Sequence, residues 1–269
     1  MTRLLMALIP LITIAYTNVS VSSELSAREI MEKVDNRYVG ESSQADAKLI
    51  LIDRRGRERT RDLKMYNLNG DDVDKSIIFF RSPADVSGTA YLNYDYADDR
   101  DDDSRLFLPA LKQVRRVAAG DRSGSFMGSD FTYSDINGVT IDWYDYTILD
   151  AEAEVNGEPA WLIESTPKPD YADRVEHETG YRKSHLWILK DSFVQIQGKL
   201  WLTRGNRIKY FSASNLELID NIWTPMRLQM LTTRNGEREH ASIFQYSSVV
   251  YNQSTDESLF TTQAMEQGD

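Results

Sequence analysis

The sequence predicts a mainly β protein built as one strongly curved antiparallel sheet, and three observations support this. Short segments with alternating apolar residues follow one another from Asp46 to Tyr251. Turn pairs such as Asn156-Gly157 and Asn235-Gly236 join consecutive segments, as in β-hairpins. Helical patterns occur only near the ends and in the loops. A meander of about eleven to thirteen strands is too large to stay flat, so we expect a barrel or half-barrel whose interior a helix or a ligand fills.

The first residues have the composition of a secretory signal peptide. Arg3 precedes an apolar run from Leu4 to Tyr16, and small residues follow. The run is too short to span about 30 Å of hydrocarbon, which requires about 20 residues. We therefore predict a signal peptide over residues 1–23, and a single exported, soluble β domain over residues 24–269. A short buried or anchoring helix is the alternative.

A helix is predicted immediately after the signal, at 26–38. Ser26 and Glu29 have the spacing of a capping box, and Ile30 and Val34 form an apolar stripe. Strand patterns then follow in chain order at 47–53, 58–68, 75–81, 89–96, 105–108, 113–117, 144–155, 159–166, 183–190, 193–203, 207–218, 222–233 and 237–251.

One side of several strands is apolar at alternate positions, which predicts side chains that face the interior of the sheet. Spacing does not decide whether these side chains contact a ligand or only one another. The pairs that we assign to this face, and to a possible ligand, are Leu49 and Leu51, Leu63 and Met65, Trp161 and Ile163, and Leu186 and Ile188.

Residues 118–142 interrupt the strand pattern and predict a long loop or short helices. The segment contains four glycines together with the apolar side chains of Phe126, Met127, Phe131 and Tyr133. Apolar residues in an irregular segment must be buried against something, and loops of this length are often functional. Two interpretations stay open: a plug that caps the barrel, or a lid over an apolar ligand with Met127 as an adaptable contact.

Composition and motifs exclude several classes of function. The 269 residues carry 31 Lys and Arg against 42 Asp and Glu, for a formal net charge of −11 at pH 7. This balance argues against nucleic acid as the main partner, and against docking on anionic lipid head groups through surface charge. The chain has no Cys, so disulfides, thiol catalysis and lipid attachment to a cysteine are ruled out.

No residue pattern specifies a catalytic or metal site, and we expect neither an enzyme nor a cofactor. His177, His185 and His240 stand apart, without the spacing of a metal site. The acidic run 98–103 lacks the spacing of an EF-type calcium loop, so a solvated hairpin tip is the better interpretation. A secreted hydrolase would require a carboxylate pair, and no pair is singled out.

The segment RSGSFMGSDFTYSDI at 122–136, after LPALKQVRRV at 108–117, resembles the signature of the bacterial outer-membrane lipoprotein-sorting protein family. That family is distantly related to the periplasmic lipoprotein carrier LolA. The resemblance extends to SPADVSGTAYL at 82–92 and SLFTT at 258–262. The matching loop positions are Arg122, Ser123, Phe126, Met127, Gly128, Ser129, Asp130, Phe131, Tyr133 and Asp135.

The resemblance implies a LolA-like fold, an unclosed and strongly curved antiparallel β-barrel of about eleven strands with helices and a loop over its concave face. It implies a periplasmic carrier of lipid or lipoprotein acyl chains, with an inner-membrane RND-type exporter as a partner. We expect a monomer whose ligand-binding loop residues are Arg122, Phe126, Met127, Phe131 and Tyr133. We expect Arg122 to pair with Asp121 or Asp130, with a polar head group as the alternative. The alternative function is a subunit of the exporter that carries no cargo.

Overall fold

One antiparallel sheet of thirteen strands organises the computed structural model, which describes residues 24–98 and 100–268. The predicted signal peptide lies outside the described residues. The strand number is at the upper end of the predicted range and exceeds the eleven that the family resemblance implies. The strands are β1 Ser42–Ile52, β2 Glu58–Leu68, β3 Val73–Ser82, β4 Ala90–Tyr96, β5 Asp103–Leu108, β6 Gln113–Val117, β7 Tyr144–Val155, β8 Glu158–Pro167, β9 Tyr181–Leu189, β10 Gln195–Leu202, β11 Arg207–Ile219, β12 Ile222–Arg234 and β13 Glu237–Tyr251.

Within the described residues, four α-helices accompany the sheet: α1 Ala27–Asp35, α2 Tyr133–Asn137, α3 Ala172–Thr179 and α4 Thr262–Gln267. The predicted capping box of α1 is confirmed, because the Ser26 side chain accepts from the Glu29 N–H and the Ser26 N–H donates to Glu29 Oε2 at 2.8 Å. None of the described helices combines the length and the apolar character needed to cross a bilayer.

The order of the strands leaves the sheet unclosed. It runs β6-β5-β4-β3-β2-β1-β13-β12-β11-β10-β9-β8-β7, so β1 pairs with β13 in the middle. The two edge strands, β6 and β7, are consecutive along the chain. Residues 118–143, which join them and which we call the crossing segment, therefore lead from one free edge of the sheet to the other.

The concave face of the sheet holds the main apolar core, and the crossing segment contributes to it. Phe126 is fully buried, with its ring centroid 5.4 Å from that of Tyr91 and 6.1 Å from that of Phe80. At the β7–β9 side, α1 packs through Ile30 on Ile163. The interior is thus filled partly by the chain's own segments.

Strand β3 is buried on both faces, which explains its continuous apolar run. Ile78 and Phe80 belong to the concave core, whereas Ile77 and Phe79 face outward. The outward pair packs against Phe260, in the segment that leads to the C-terminal helix α4. Because both faces are covered, alternation is lost from this part of the sequence.

Candidate functional site

An apolar cavity of about 420 Å³ lies between the concave face of the sheet and the crossing segment. Its size falls within the range of about 300–1,000 Å³ that is typical of small-molecule sites. The apolar and aromatic residues that line it are Met31, Met65, Phe131, Ile136, Val139, Ile141, Tyr144, Tyr146, Tyr181, Leu186, Leu200, Phe211, Leu228, Met230, Phe244 and Tyr246.

The register of the sheet explains why so many apolar side chains meet in this cavity. Phe211 on β11 lies opposite Met230 on β12, and Leu228 on β12 lies opposite Phe244 on β13. Residues that alternate along a strand share one face, so each of these strands adds one or more side chains to the same concave surface. The result is a continuous apolar wall that spans several strands.

A polar mouth adjoins the cavity at the C-terminal end of α2. Ser134, Gly138 and Val139 line the apolar cavity and also a neighbouring polar cavity of about 500 Å³. Charged side chains of both signs line this polar cavity, among them Arg122 and Glu178. Val139 is 44% exposed at the boundary. The two cavities together offer an apolar interior beside a charged opening, the arrangement that an amphipathic molecule requires.

The Asp95 carboxyl at the mouth is a weaker acid than an ordinary aspartate. Partial burial of the Asp95 carboxyl, together with the neighbouring carboxylate of Asp102, raises the pKa of Asp95 to about 7. The residue keeps contact with solvent along the rim. The negative charge at the mouth therefore falls as the pH drops below about 7.

The crossing segment is anchored to the middle of the sheet through Asp130. Its carboxylate accepts hydrogen bonds from Ser242 Oγ at 2.7 Å, His240 Nδ1 at 3.2 Å and Thr232 Oγ1 at 2.5 Å. Asp130, Ser242 and Thr232 are buried. Ser242 and His240 both contact the aspartate, so the serine does not have the histidine base that a hydrolytic triad needs. This cluster is an anchor.

A second anchor lies at Asp135, near the start of α2. The Tyr181 hydroxyl on β9 donates to its carboxylate at 2.9 Å, and Lys209 Nζ on β11 lies 3.6 Å from Oδ2. Burial and the Asp135 carboxylate raise the pKa of Tyr181 well above its usual value. At the end of α2, Asn137 Nδ2 donates to Ser104 Oγ on β5 at 3.0 Å. The segment is thus held on both sides of the concave face.

Arg122 contacts partners other than those predicted. Its guanidinium lies 3.2 Å from Glu178 on α3 and 3.3 Å from the Asp102 carboxylate, and it donates to the Asp102 carbonyl at 2.8 Å. The prediction of a pair with Asp121 or Asp130 was wrong, because α3 brings Glu178 to the crossing segment from a distant part of the sequence. The side chain is buried, and its Nε has no acceptor among the described residues.

The predicted loop residues fall into distinct environments. Phe131 lines the apolar cavity, and Arg122 lines the polar cavity. Phe126 is buried in the concave core, where Met127 and Tyr133 pack against it as partly buried side chains. As ligand contacts, these residues remain predictions.

The predicted sheet-face residues divide in the same way. Met65 and Leu186 line the cavity. Leu49, Leu51 and Leu63 are buried in the concave core. Trp161, Ile163 and Ile188 belong to the cluster that packs against α1. All eight face the interior, as alternation indicates, but the helix and the crossing segment cover most of them.

Sequence reasoning missed many of the residues that line the cavity, chiefly those on the later strands. Tyr144 and Tyr146 on β7, Phe211 on β11 and Leu228 on β12 are the main cases. The alternation of apolar residues in these strands was visible in the sequence, but it did not show which strands the helix α1 and the crossing segment leave uncovered. Within the described chain, no group of three or more His, Asp or Glu is placed to hold a metal ion.

A family model whose description reads "Uncharacterized protein" matches residues 72–267. No curated protein sequence matches the chain. Among solved structures, a DUF1329 family protein from Desulfovibrio piger is 28% identical, with a TM-score of 0.78 over 89% of this chain and 97% of that protein. An outer membrane lipoprotein-sorting protein domain from Vibrio parahaemolyticus is 26% identical, with a TM-score of 0.77 over 89% and 98% of the two chains. The LolA superfamily protein NE2245 from Nitrosomonas europaea shares the fold, at 19% identity and a TM-score of 0.66 over 90% and 100%.

Proposed function

The chain belongs to the DUF1329 family and shares its fold with outer-membrane lipoprotein-sorting and LolA superfamily proteins, and on this premise we propose that it is a periplasmic acyl-chain carrier. In this proposal it binds the acyl chains of a lipid or lipoprotein and transfers them toward the outer membrane. Export would use a signal peptide over residues 1–23, leaving a single domain over residues 24–269. The carrier acts as a monomer and without catalysis.

The observation that carries the proposal is the apolar cavity with a charged mouth. An acyl chain fits the wall formed by side chains such as Leu200, Phe211 and Leu228. Each buried methylene contributes about 0.8 kcal/mol, so a 16-carbon chain gains on the order of 10 kcal/mol before ordering costs. A head group would stay in the polar cavity, where it keeps its hydrogen bonds.

Release of such a ligand requires the cavity to open. The crossing segment forms one wall, and it is anchored through Asp130 and Asp135. Binding that buries a whole acyl chain reverses slowly unless another state of the protein binds the chain less well. We propose that an inner-membrane RND-type exporter supplies or removes cargo by favouring a state with this segment displaced.

Lipid extraction tests the carrier function directly. The mature chain, purified from its periplasm, should release lipid into an organic extract that mass spectrometry identifies, and it should bind a fluorescent fatty acid that unlabelled palmitate displaces. A lipid-free protein that binds no acyl probe would overturn the proposal and favour the exporter subunit without cargo.

A pair of adjacent variants places the ligand in the cavity. Leu228→Asp puts a charge into the apolar wall, which costs several kcal/mol when an acyl chain is bound over it, so probe affinity should fall by more than about tenfold. Gln229→Asp adds the same charge on the opposite face of β12 and should leave affinity unchanged. Circular dichroism checks that both variants fold. Equal losses in the two variants would contradict binding in this cavity.

A further inference from the structure

The outer face of the sheet carries a patch whose charge is opposite to that of the whole chain. Leu200, Phe211 and Leu228 line the cavity, so their neighbours Lys199 and Tyr210 point to the convex side. We call the outward-facing side chains of β9–β13 and β1 the convex patch. The C-terminal segment covers the convex side at β3 and β4, whereas Tyr210 stays 38% exposed.

The registers of neighbouring strands define the composition of the convex patch. One row across the six strands reads His185, Lys199, Tyr210, Leu231, Ala241 and Ile52. The next row reads Trp187, Gln197, Ser212, Gln229, Ile243 and Ile50. Neither row contains an acidic residue over these strands, although the chain has 42 acids against 31 bases. Acidic side chains are therefore absent from these two rows, whereas Asp46, farther along β1, faces outward and forms ion pairs with Lys64 and Arg81.

Cations surround the apolar side chains of the patch, and three of them lack an acidic partner. Lys199 Nζ lies 4.7 Å from the Trp201 ring centroid and 6.0 Å from that of Tyr210. Arg227 donates to Gln245 at 3.1 Å, and Lys48 lies opposite Gln245 in the register. No described carboxylate lies within ion-pair distance of Lys199, Arg227 or Lys48, although Asp62 on β2 lies opposite Lys48 in the register. At the border of the patch, in contrast, Glu164 neutralises Lys183 at 2.7 Å.

The net charge of the whole chain argues against docking on anionic lipid, but the local charge of this face differs, and we propose that the convex patch docks the protein on the surface of an anionic phospholipid bilayer. Trp and Tyr favour the boundary between head groups and acyl chains, and half-buried aliphatic side chains such as Ile50 and Leu231 can contact the same region. Each Lys or Arg near an anionic surface strengthens binding, and the attraction acts within a Debye length. The acidic remainder of the chain is then repelled from the membrane, which orients the docked molecule.

Vesicle co-sedimentation tests this docking. The wild-type chain should bind vesicles of phosphatidylglycerol mixed with phosphatidylcholine, should bind pure phosphatidylcholine vesicles far less, and should be released by added salt. Replacing Lys48, Lys199 and Arg227 together with Gln should weaken vesicle binding on the order of 100-fold, because each cation contributes about fivefold.

The matched control changes three exposed cations outside the patch by the same charge. Arg55→Gln/Lys112→Gln/Arg115→Gln should bind anionic vesicles as the wild type does. Both triple variants should keep the affinity for the fatty-acid probe, and Leu228→Asp should keep vesicle binding, so docking and cargo binding fail separately. Absence of binding to anionic vesicles, equal binding to both vesicle types, or equal losses in the two triple variants would overturn the proposal. Absence of vesicle binding would favour an acidic protein surface as the partner.

Discussion

The anchor at Asp130 gives the most direct test of how the crossing segment is held. Asp130→Ala removes a buried carboxylate that accepts hydrogen bonds from Thr232, Ser242 and His240. The side chains of Thr232 and Ser242 come from two adjacent strands, β12 and β13. The substitution therefore removes the side-chain connection between the crossing segment and the middle of the sheet, although the backbone N–H of residue 130 still donates to Ser242 Oγ. It leaves two buried hydroxyl groups without their carboxylate acceptor.

The expected loss of stability follows from these contacts. A hydrogen bond to a charged group contributes about 1.5–3 kcal/mol when both partners are buried. Thr232 and Ser242 meet this condition, whereas the His240 side chain is 37% exposed and its contact is screened by solvent. We therefore expect Asp130→Ala to lower the free energy of unfolding by about 3–5 kcal/mol. Asp130→Asn keeps part of the acceptor capacity and should cost less.

Urea denaturation followed by circular dichroism measures the global loss, and native-state hydrogen exchange locates it. The Phe126 N–H donates to the Phe131 carbonyl at 2.7 Å, so its protection reports on the crossing segment. The control is Asp62→Ala, which removes an exposed carboxylate bonded to Ser82 Oγ and should change stability by less than about 0.5 kcal/mol. A loss below about 1 kcal/mol for Asp130→Ala, with protection at Phe126 unchanged, would refute the role of this anchor.

Two further predictions concern the mouth of the cavity and the C-terminal segment. Because the pKa of Asp95 is raised to about 7 in the folded state, the native chain binds more protons than the unfolded chain between about pH 4 and pH 7, and this carboxyl destabilises the fold increasingly as pH rises through that window. The free energy of unfolding of Asp95→Asn should therefore rise relative to that of the wild type as the pH increases from about 5 to 8, as urea titrations at each pH measure. A difference between the two proteins that does not change with pH would contradict the raised pKa of Asp95. Phe260→Ala empties a buried position against Ile77 and Phe79 and should lower the free energy of unfolding by about 3–5 kcal/mol, whereas Glu257→Ala, at an exposed position, should have little effect.

Much of the fold could be predicted because its signals are local. The capping box at Ser26 and Glu29 spans only four residues of sequence, and it occurs as predicted. Alternation in the later strands and the turn at Asn235-Gly236 likewise depend on neighbouring residues, and β12 and β13 form there. Strand β3 was found despite its unbroken apolar run, because β-branched and aromatic residues dominate it.

The candidate site was harder to predict because its residues meet through tertiary contacts. Alternation placed Leu49 and Met65 on the same interior face, but the crossing segment covers the first and leaves the second at the cavity. The partner of Arg122 was assigned wrongly for the same reason, since Glu178 lies on a helix, α3, that a polar stretch of sequence did not reveal.

The class of the protein can be read from the amino-acid sequence: its acidic balance, its lack of cysteine, its β architecture and the family signature around FMGSDF. Those properties depend on composition and on patterns within a few residues. Three further features depend on the folded arrangement: which apolar residues border a cavity, what anchors the crossing segment, and which rows of the outer face carry no acid. Asp130 and Thr232 are 102 residues apart and meet only because the crossing segment packs over the concave face of β12 and β13. Contacts of that kind depend on the closure of long loops and on strand pairing, which local patterns do not encode.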